Sequence, residues 1–397
     1  MEELVTQSFK YVKQIDNRFK RYLFHKIDWR SRLIIIIGAR GVGKTTMMLQ
    51  YMKENLALNK ESIYISADHL YFSRHGLVEF ARLFSMNGGK HLFIDEIHKY
   101  PNWSREVKNI YDQYPDLKLV LSGSSATEIV KGEGDLSRRA LFYHLQGLSF
   151  REYINFHYKI QYQPITLDDL VTNVMEISYQ IAANIKPIKL YDEYLRFGYY
   201  PFFKEGTDGY YLRINQVVNT VLELDIPAVY NIDYHATIAI RKLLGIITTL
   251  VPFKPNTLKL SQEVGLSRET FIKYLQYLHK ADLLTLLHSS TKGISQLSKP
   301  EKIYLQNPNL IYALAEGVVD KGNLRETFFI NQLSQNHQLS YPKQGDFLVN
   351  QTWLFEVGGA NKTQKQITGI DNAFVAADDI EIGSPQKIPL WLFGFLY

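Results

Sequence analysis

The run Leu33-Ile34-Ile35-Ile36-Ile37 leads directly into Gly38-Ala39-Arg40-Gly41-Val42-Gly43-Lys44-Thr45-Thr46, which fits G-x-x-x-x-G-K-[ST] without a mismatch. Five β-favouring apolar residues, a glycine-rich loop and a helix-competent stretch from Met47 to Leu56 read as strand, phosphate loop and helix. In such a loop the backbone N–H groups curl around a polyphosphate, and the following helix N-terminus adds partial positive charge. The chain is therefore expected to hold ATP through Gly38, Ala39, Arg40, Gly41, Val42, Gly43, Lys44, Thr45 and Thr46. Lys44 would reach the β- and γ-phosphates and the Thr45 hydroxyl would ligate Mg²⁺. A chance glycine-rich turn is the competing reading, and it leaves the apolar strand before the loop unexplained.

With 397 residues the chain exceeds one ordinary core, and two to four domains are expected. A formal net charge of +5 is small for that length, so it permits nucleic-acid contact without arguing for it. The absence of cysteine removes disulfides, thiolate zinc sites and cysteine nucleophiles together. Met1-Glu2-Glu3-Leu4 is acidic and carries no apolar signal core, and the longest apolar runs, Leu33 to Ile37 and Ile388 to Tyr397, fall short of a membrane span. These features lead to the expectation of an intracellular, cytoplasmic, soluble protein with no membrane partner.

Residues 1–32 read as a helix followed by the basic stretch Arg18-Phe19-Lys20-Arg21, either a solvated face or a surface against a nucleotide base. Ser62 to Ser66 is a short buried strand. His91-Leu92-Phe93-Ile94-Asp95-Glu96 is an apolar strand ending in two acids about fifty residues after the phosphate loop. In that pattern Asp95 holds the water shell of Mg²⁺ and Glu96 polarises the attacking water. A helix from Trp103 to Tyr114 leads to the strand Leu117 to Leu121 and the polar tip Ser122-Gly123-Ser124-Ser125. Strands alternating with helices indicate a parallel sheet whose ligand sits at the carboxyl edge.

Together these residues resemble the AAA-type bacterial and archaeal ATPases that carry an ATPase core, a winged helix and a nuclease-like C-terminal domain (the AAA_14/DUF4143 group). Gly38 to Thr46, Phe93 to Ile97, Leu121 to Ser125, Leu136 to Arg139, Leu148 to Tyr153 and Tyr194 to Pro201 carry the resemblance, which covers nearly the whole chain. It implies an α/β fold: an AAA-type P-loop NTPase parallel-sheet core, a helical lid, a winged helix and a small α/β nuclease-like domain. The corresponding boundaries are 1–152, 153–234, 235–305 and 306–397. It further implies that the Ser122 to Ser125 tip, with Ser124, senses the γ-phosphate. Arg138 and Arg139 stand where the family places its arginine, which stabilises transition-state charge within one chain or across a subunit interface. A surface pair bonded to nearby acids is the alternative. Arg196 would be a lid arginine.

From Tyr153 to Tyr234 the pattern is helical, with segments Leu167 to Ile181, Ile188 to Arg196 and Tyr211 to Leu224. Ala236 to Leu250, Thr257 to Val264 and Ser267 to Ala281 form a helix-turn-helix signature around Gly265, and Leu283 to Ser289 with Ile303 to Leu305 would be the wing. Arg268, Lys273, Gln276 and Lys280 face outward and could contact double-stranded DNA, although Glu269 sits among them and protein contact is an equally plain use of such a face. Beyond Asn307 the expected order is helix Leu324 to Gln335, strands Gly345 to Val349 and Trp353 to Val357, helix Gln364 to Ala377 and strand Ile388 to Tyr397.

In the family this part resembles the restriction-endonuclease fold, which implies a possible second metal site at Glu326, Asp346 and Glu356. Glycine at 358 replaces the lysine of Glu-x-Lys, so Lys362 or Lys365 would have to swing in. Two functions of different class follow. One is a DNA-associated, Mg²⁺-dependent ATPase that drives its C-terminal modules; the other is a nucleotide-dependent switch, with slow turnover, an inactive nuclease-like domain and a protein partner or a second copy of itself.

Overall fold

A strand with two apolar faces is stable only when both are covered. The computed structural model describes residues 1–57, 59–124, 136–250, 255–289, 299–315 and 317–397. In it Leu33–Gly38 forms β1, whose first four residues are fully buried. The chain divides into two compact units, 1–147 and 148–397.

The first unit runs α1 (Glu2–Gln14), β1, α2 (Lys44–Asn55), β2 (Ser62–Ser66), α3 (Leu77–Met86), β3 (His91–Asp95), α4 (Trp103–Gln113), β4 (Lys118–Ser124) and β5 (Leu141–His144). The five strands form a parallel sheet in the order β2-β3-β4-β1-β5. β4 thus stands between the phosphate-loop strand and the strand ending in Asp95. Register brings the tips level at the carboxyl edge: Gly38 pairs with Ser124, Ser66 with Asp95, and Ile94 with Leu121.

Edge strands need their free amides covered. Leu4, Ser8 and Val12 recur along one face of α1 and are buried, and Ser8 Oγ accepts from the Tyr64 amide of β2 at 2.9 Å. Past Gln14 the helix stops. Residues 18–21 are extended into a 3₁₀ turn at Tyr22–His25, so the basic stretch is not a helix face. Arg18 pairs with Asp16 at 2.6 Å, Lys20 pairs with Glu54, and Arg21 is buried. Trp29 stacks on Tyr51 of α2 at 4.0 Å, which fastens this segment beside the phosphate-loop helix.

The second unit begins with α5 (Phe150–Tyr158), α6 (Leu167–Thr172), α7 (Val174–Ala182), α8 (Pro187–Phe197), α9 (Tyr210–Thr220) and α10 (Ile226–Tyr230). There follow α11 (Tyr234–Leu250), α12 (Thr257–Val264) and α13 (Arg268–Lys280), and an antiparallel pair β6 (Leu284–Leu287) and β7 (Lys302–Leu305). After α14 (Pro308–Leu314) and α15 (Lys321–Leu333) comes a mixed sheet in the order β12-β11-β10-β9-β8. Its strands are β8 (Leu339–Ser340), β9 (Phe347–Val349), β10 (Trp353–Gly358), β11 (Ala373–Ala377) and β12 (Lys387–Pro389).

Two expected elements in this sheet are corrected. In place of a helix over 364–377 there is a 3₁₀ turn at Gln364–Gln366 and then β11. Gly369 and Asn372 adopt positive φ, of 76° and 55°, which no helix accommodates, and the apolar run Ala373 to Ala377 pairs in parallel with β10. In place of a strand over 388–397, β12 ends at Pro389, which has no N–H to continue a ladder, and Leu390–Phe395 winds into a buried 3₁₀ turn.

Buried polar groups in the second unit are satisfied internally. Asn309 is fully buried and uses its whole amide: Oδ1 accepts from the Tyr199 amide at 2.8 Å and from Tyr210 OH at 2.6 Å. Its Nδ2 donates to the carbonyls of Tyr194 at 3.1 Å and Leu195 at 2.7 Å. A Cβ on Gly198 would collide with the Tyr194 backbone and ring. The Tyr194 to Pro201 motif therefore has a packing explanation. Ser149 Oγ and Arg151 Nε both donate to the Tyr397 carbonyl, so the segments expected as separate modules share hydrogen bonds within one unit. No helix of the described residues is long and apolar enough to cross a membrane.

Candidate functional site

The phosphate loop turns on two glycines for definite reasons. A Cβ at Gly38 would run into the Leu145 carbonyl, and Gly43, which caps α2, holds φ of 99°. The loop thus delivers Lys44, Thr45 and Thr46 into the first turn of α2. Lys44 is buried and its Nζ donates to the carbonyls of Gly38 at 2.8 Å and Ala39 at 2.9 Å, so the ammonium lies across the mouth of its own loop. Thr46 and Gly41 are exposed, Ala39 and Val42 buried, and Arg40 half-buried.

Asp95 is the hub of the sheet edge. Its Oδ2 accepts from Thr45 Oγ1 at 2.5 Å and from Tyr64 OH at 2.9 Å; its Oδ1 accepts from Ser122 Oγ and from the Glu96 amide at 3.0 Å. Four donors on one carboxylate fix both oxygens. Burial, with Asp95 beside it, pushes the Tyr64 phenol far up, so Tyr64 remains a protonated donor. The oxygen donors Thr45 and Asp95, brought into contact at a phosphate loop, fit Mg²⁺, which prefers few protein ligands and hard oxygens.

Glu96 leaves β3 in the left-handed region, with φ of 51°. Its Oε2 lies 3.5 Å from His98 Nε2, 3.7 Å from Arg40 Nη1 and 3.7 Å from Lys99 Nζ. Burial raises the Glu96 carboxyl above the ordinary range, with Lys44 and Arg40 drawing it the other way. The Ser124 amide donates to His98 Nδ1 at 3.4 Å, which places the tip of β4 one side chain away from Glu96.

Lys44, Thr45, Asp95, Glu96 and Ser124 are therefore brought together. Arg138 and Arg139 are not among them. They precede β5, whose Leu141 pairs with Ile34 at the amino end of β1, and the phosphate loop follows the other end. Arg139 makes a two-pronged bond to Asp112 of α4 at 3.0 Å, and Arg138 is exposed. Arg196 pairs with Asp192 at 3.1 Å and lies over the Tyr312 ring. Ser125 lies outside the described residues.

Sequence reasoning missed Tyr64 and His98, and it singled out Arg21 only as part of a basic stretch, not as a clamp on the loop. Tyr64 could have been found only by knowing that β2 lies beside β3. His98 is two residues past Glu96, and a histidine so close to a strand-end acid was a signal that could have been read. Arg21 Nη1 donates to the Val42 carbonyl at 2.5 Å, and its Nη2 to the carbonyls of Gln146 at 2.7 Å and Gly147 at 2.8 Å.

In the second unit the three acids are matched with lysines. Lys302 of β7 lies 2.8 Å from Glu326 and 3.2 Å from Asp346, and Tyr304 OH donates to Glu326 at 2.8 Å. Lys362 lies 2.5 Å from Glu356, which is almost fully buried. A Cβ at Gly358 would collide with the Lys362 stem, so the glycine makes room for that lysine to cross. Lys365 sits in the exposed 3₁₀ turn. Among the described residues no group of three or more His, Cys, Asp or Glu side chains is disposed to hold a metal ion.

Residues 30–154 match the family model described as an AAA domain, and residues 188–320 match one described as a domain of unknown function, DUF8612. The chain is 25% identical over 391 residues to the uncharacterized protein MJ1637 of Methanocaldococcus jannaschii, covering 90% of this chain and 82% of that one. It is 24% identical over 370 residues to the uncharacterized protein MJ1544 of the same organism, covering 85% and 74%. Among solved structures it is similar to AMPPCP-bound DnaA from Aquifex aeolicus, at 14% identity and a TM-score of 0.28, over 70% of this chain and 88% of that one. The family match and the phosphate-loop geometry coincide on the same residues: the chain carries an AAA-type P-loop domain of the nucleotide-binding, ATPase-like kind.

Proposed function

We propose that the first unit hydrolyses ATP with Mg²⁺. The observation that carries this reading is the contact of Thr45 with Asp95 beside a phosphate loop, with Glu96 as the next residue. The loop and Lys44 bind and orient the polyphosphate. Thr45 and Asp95 would hold Mg²⁺, which when bound neutralises charge on the phosphates. Glu96 accepts a proton from water as its oxygen bonds to the γ-phosphorus; the bond from that phosphorus to the bridging oxygen breaks and its electron pair leaves with ADP. Ser124, whose amide donates to the His98 ring beside Glu96, would register the γ-phosphate. Release of phosphate by the full chain tests this. Lys44→Ala should lower turnover by about 10²–10³-fold, since a cation on the transferring phosphoryl group is lost. EDTA should abolish turnover, and a Lys44→Ala chain as fast as the parent would refute the reading.

Arg138 and Arg139 sit at the amino edge of the sheet, so a role on transition-state charge belongs across an interface, on the site of a second copy. That supports an oligomer as the competent form, and an isolated chain with slow turnover, close to the switch reading.

For the second unit, α11 to α13 followed by the β6–β7 hairpin supports a winged helix, with Arg268, Lys273 and Lys280 exposed on α13. If it binds duplex DNA, stimulation of ATP turnover by DNA falls steeply with salt, because each phosphate contact releases counterions. Turnover indifferent to DNA at low salt favours the switch reading with a protein partner. Lys302 between Glu326 and Asp346 supports a nuclease-like module that is inactive and regulatory, whereas Lys362 beside Glu356 supports an active one; a Mg²⁺-dependent nicking assay with Glu356→Ala as control decides between them.

A further inference from the structure

Two cations, Arg40 and Lys99, and the His98 ring face Glu96 Oε2, and they are not equivalent. Lys99 is anchored to Asp68 at 2.6 Å, and the second ring nitrogen of His98 accepts from Ser124. Arg40 belongs to the phosphate loop itself, between Gly38 and Gly41, and its guanidinium reaches Glu96 Oε2 at 3.7 Å. Both side chains are about one-fifth exposed, so the pair is partly withdrawn from water. A planar guanidinium matches phosphate oxygens better than it matches a single carboxylate oxygen at that distance, and a γ-phosphate carries more charge than a carboxylate.

We propose that Arg40 is a second side chain, beside Ser124, that reads the γ-phosphate. With no γ-phosphate in the loop, Arg40 holds the Glu96 carboxylate; with ATP in the loop it turns to the γ-phosphate and frees Glu96 to face water. One contact thereby restrains the base in the absence of ATP and makes the loop discriminate ATP from ADP. This rests on the nucleotide site proposed above and assigns within it a side chain whose backbone alone was expected to act. With Arg139 committed to Asp112 at the far edge, Arg40 is the arginine of this unit that pairs with Glu96 among the described residues.

The test is nucleotide binding to the full chain by calorimetry, with Mg·ADP and with the Mg²⁺ complex of the β,γ-methylene analogue of ATP. Arg40→Ala should weaken the analogue about 10-fold and leave ADP within about two-fold, since one charge-assisted contact to the γ-phosphate is lost. Arg40→Lys should fall between. Glu96→Gln should tighten the analogue, because the competitor for Arg40 loses its charge, and that gain should vanish in the double variant Arg40→Ala/Glu96→Gln. An equal loss for both nucleotides, or none for either, overturns the assignment. A parent chain that binds neither nucleotide removes the site itself and the Arg40 assignment with it, an outcome distinct from a parent that binds both.

Discussion

Glu96→Gln is expected to slow ATP turnover by about 10²–10⁴-fold while the nucleotide stays bound, the loss usual for a positioned general base. The amide keeps the volume and the left-handed backbone placement of Glu96 but cannot take a proton. Single-turnover measurement with Mg·ATP separates this from a binding defect. The pH dependence gives a second check. Burial raises the Glu96 carboxyl, and a base works only when deprotonated. In the parent, kcat/KM should therefore fall as pH drops through a value above the ordinary carboxylate range, and that acid limb should be missing in the Gln chain. The linkage has the opposite sense for stability. Between the unfolded and the raised folded pKa the folded state binds the extra proton, so the Glu96 contribution makes stability fall as pH rises through that window. The Gln chain lacks that slope. A Gln chain that turns over at the parent rate would remove Glu96 from the chemistry.

The parts of this site that sequence made legible are those fixed by local pattern. The phosphate loop needs glycines at set spacing and a strand before it, and Asp95-Glu96 ends an apolar strand; both patterns lie within about ten residues. Ser124 became legible as the tip of the next strand. What sequence could not supply was neighbourhood. The order β2-β3-β4-β1-β5 is a set of parallel pairings between distant segments, and it alone makes Tyr64 a donor to Asp95 and moves Arg139 to the edge away from the loop. Arg196 shows the same limit, since a lid arginine and one paired with Asp192 over Tyr312 have the same sequence signature.

The two misread stretches of the second unit fail for a different reason. Apolar runs such as Ala373 to Ala377, buried except at Phe374, and the fully buried Leu390 to Phe395 carry neither the period of a helix nor that of a strand. Gly369 and Pro389 are the local signals that decide them. Lys302 lies 24 and 44 residues from the two acids it neutralises, a pairing no spacing rule reaches.

Arg21→Ala is expected to destabilise the first unit by about 3 kcal/mol, roughly 1 kcal/mol for each hydrogen bond lost and a large part of the total for a domain. The guanidinium is 5% exposed and donates to three carbonyls, those of Val42, Gln146 and Gly147. Truncation removes the guanidinium donor from each of these carbonyls in a buried space, at about 1–3 kcal/mol for any group left unsatisfied before relaxation. Arg21→Lys should recover less than half, because a single ammonium cannot span acceptors on two separate segments as a planar fork does. Because the chain has two units, one global unfolding curve would mix their transitions. Hydrogen exchange of the β1 and α2 amides in the full chain, measured against urea, isolates the first. The functional consequence follows from which carbonyl is released. Val42 lies inside the phosphate loop, so its anchor fixes the path on which the loop amides converge. Arg21→Ala should weaken ADP and the β,γ-methylene ATP analogue alike, the pattern that separates a residue holding the loop in shape from Arg40, whose loss should touch only the γ-phosphate. Preserved affinity for both nucleotides in Arg21→Ala would mean that the loop holds its shape without this clamp.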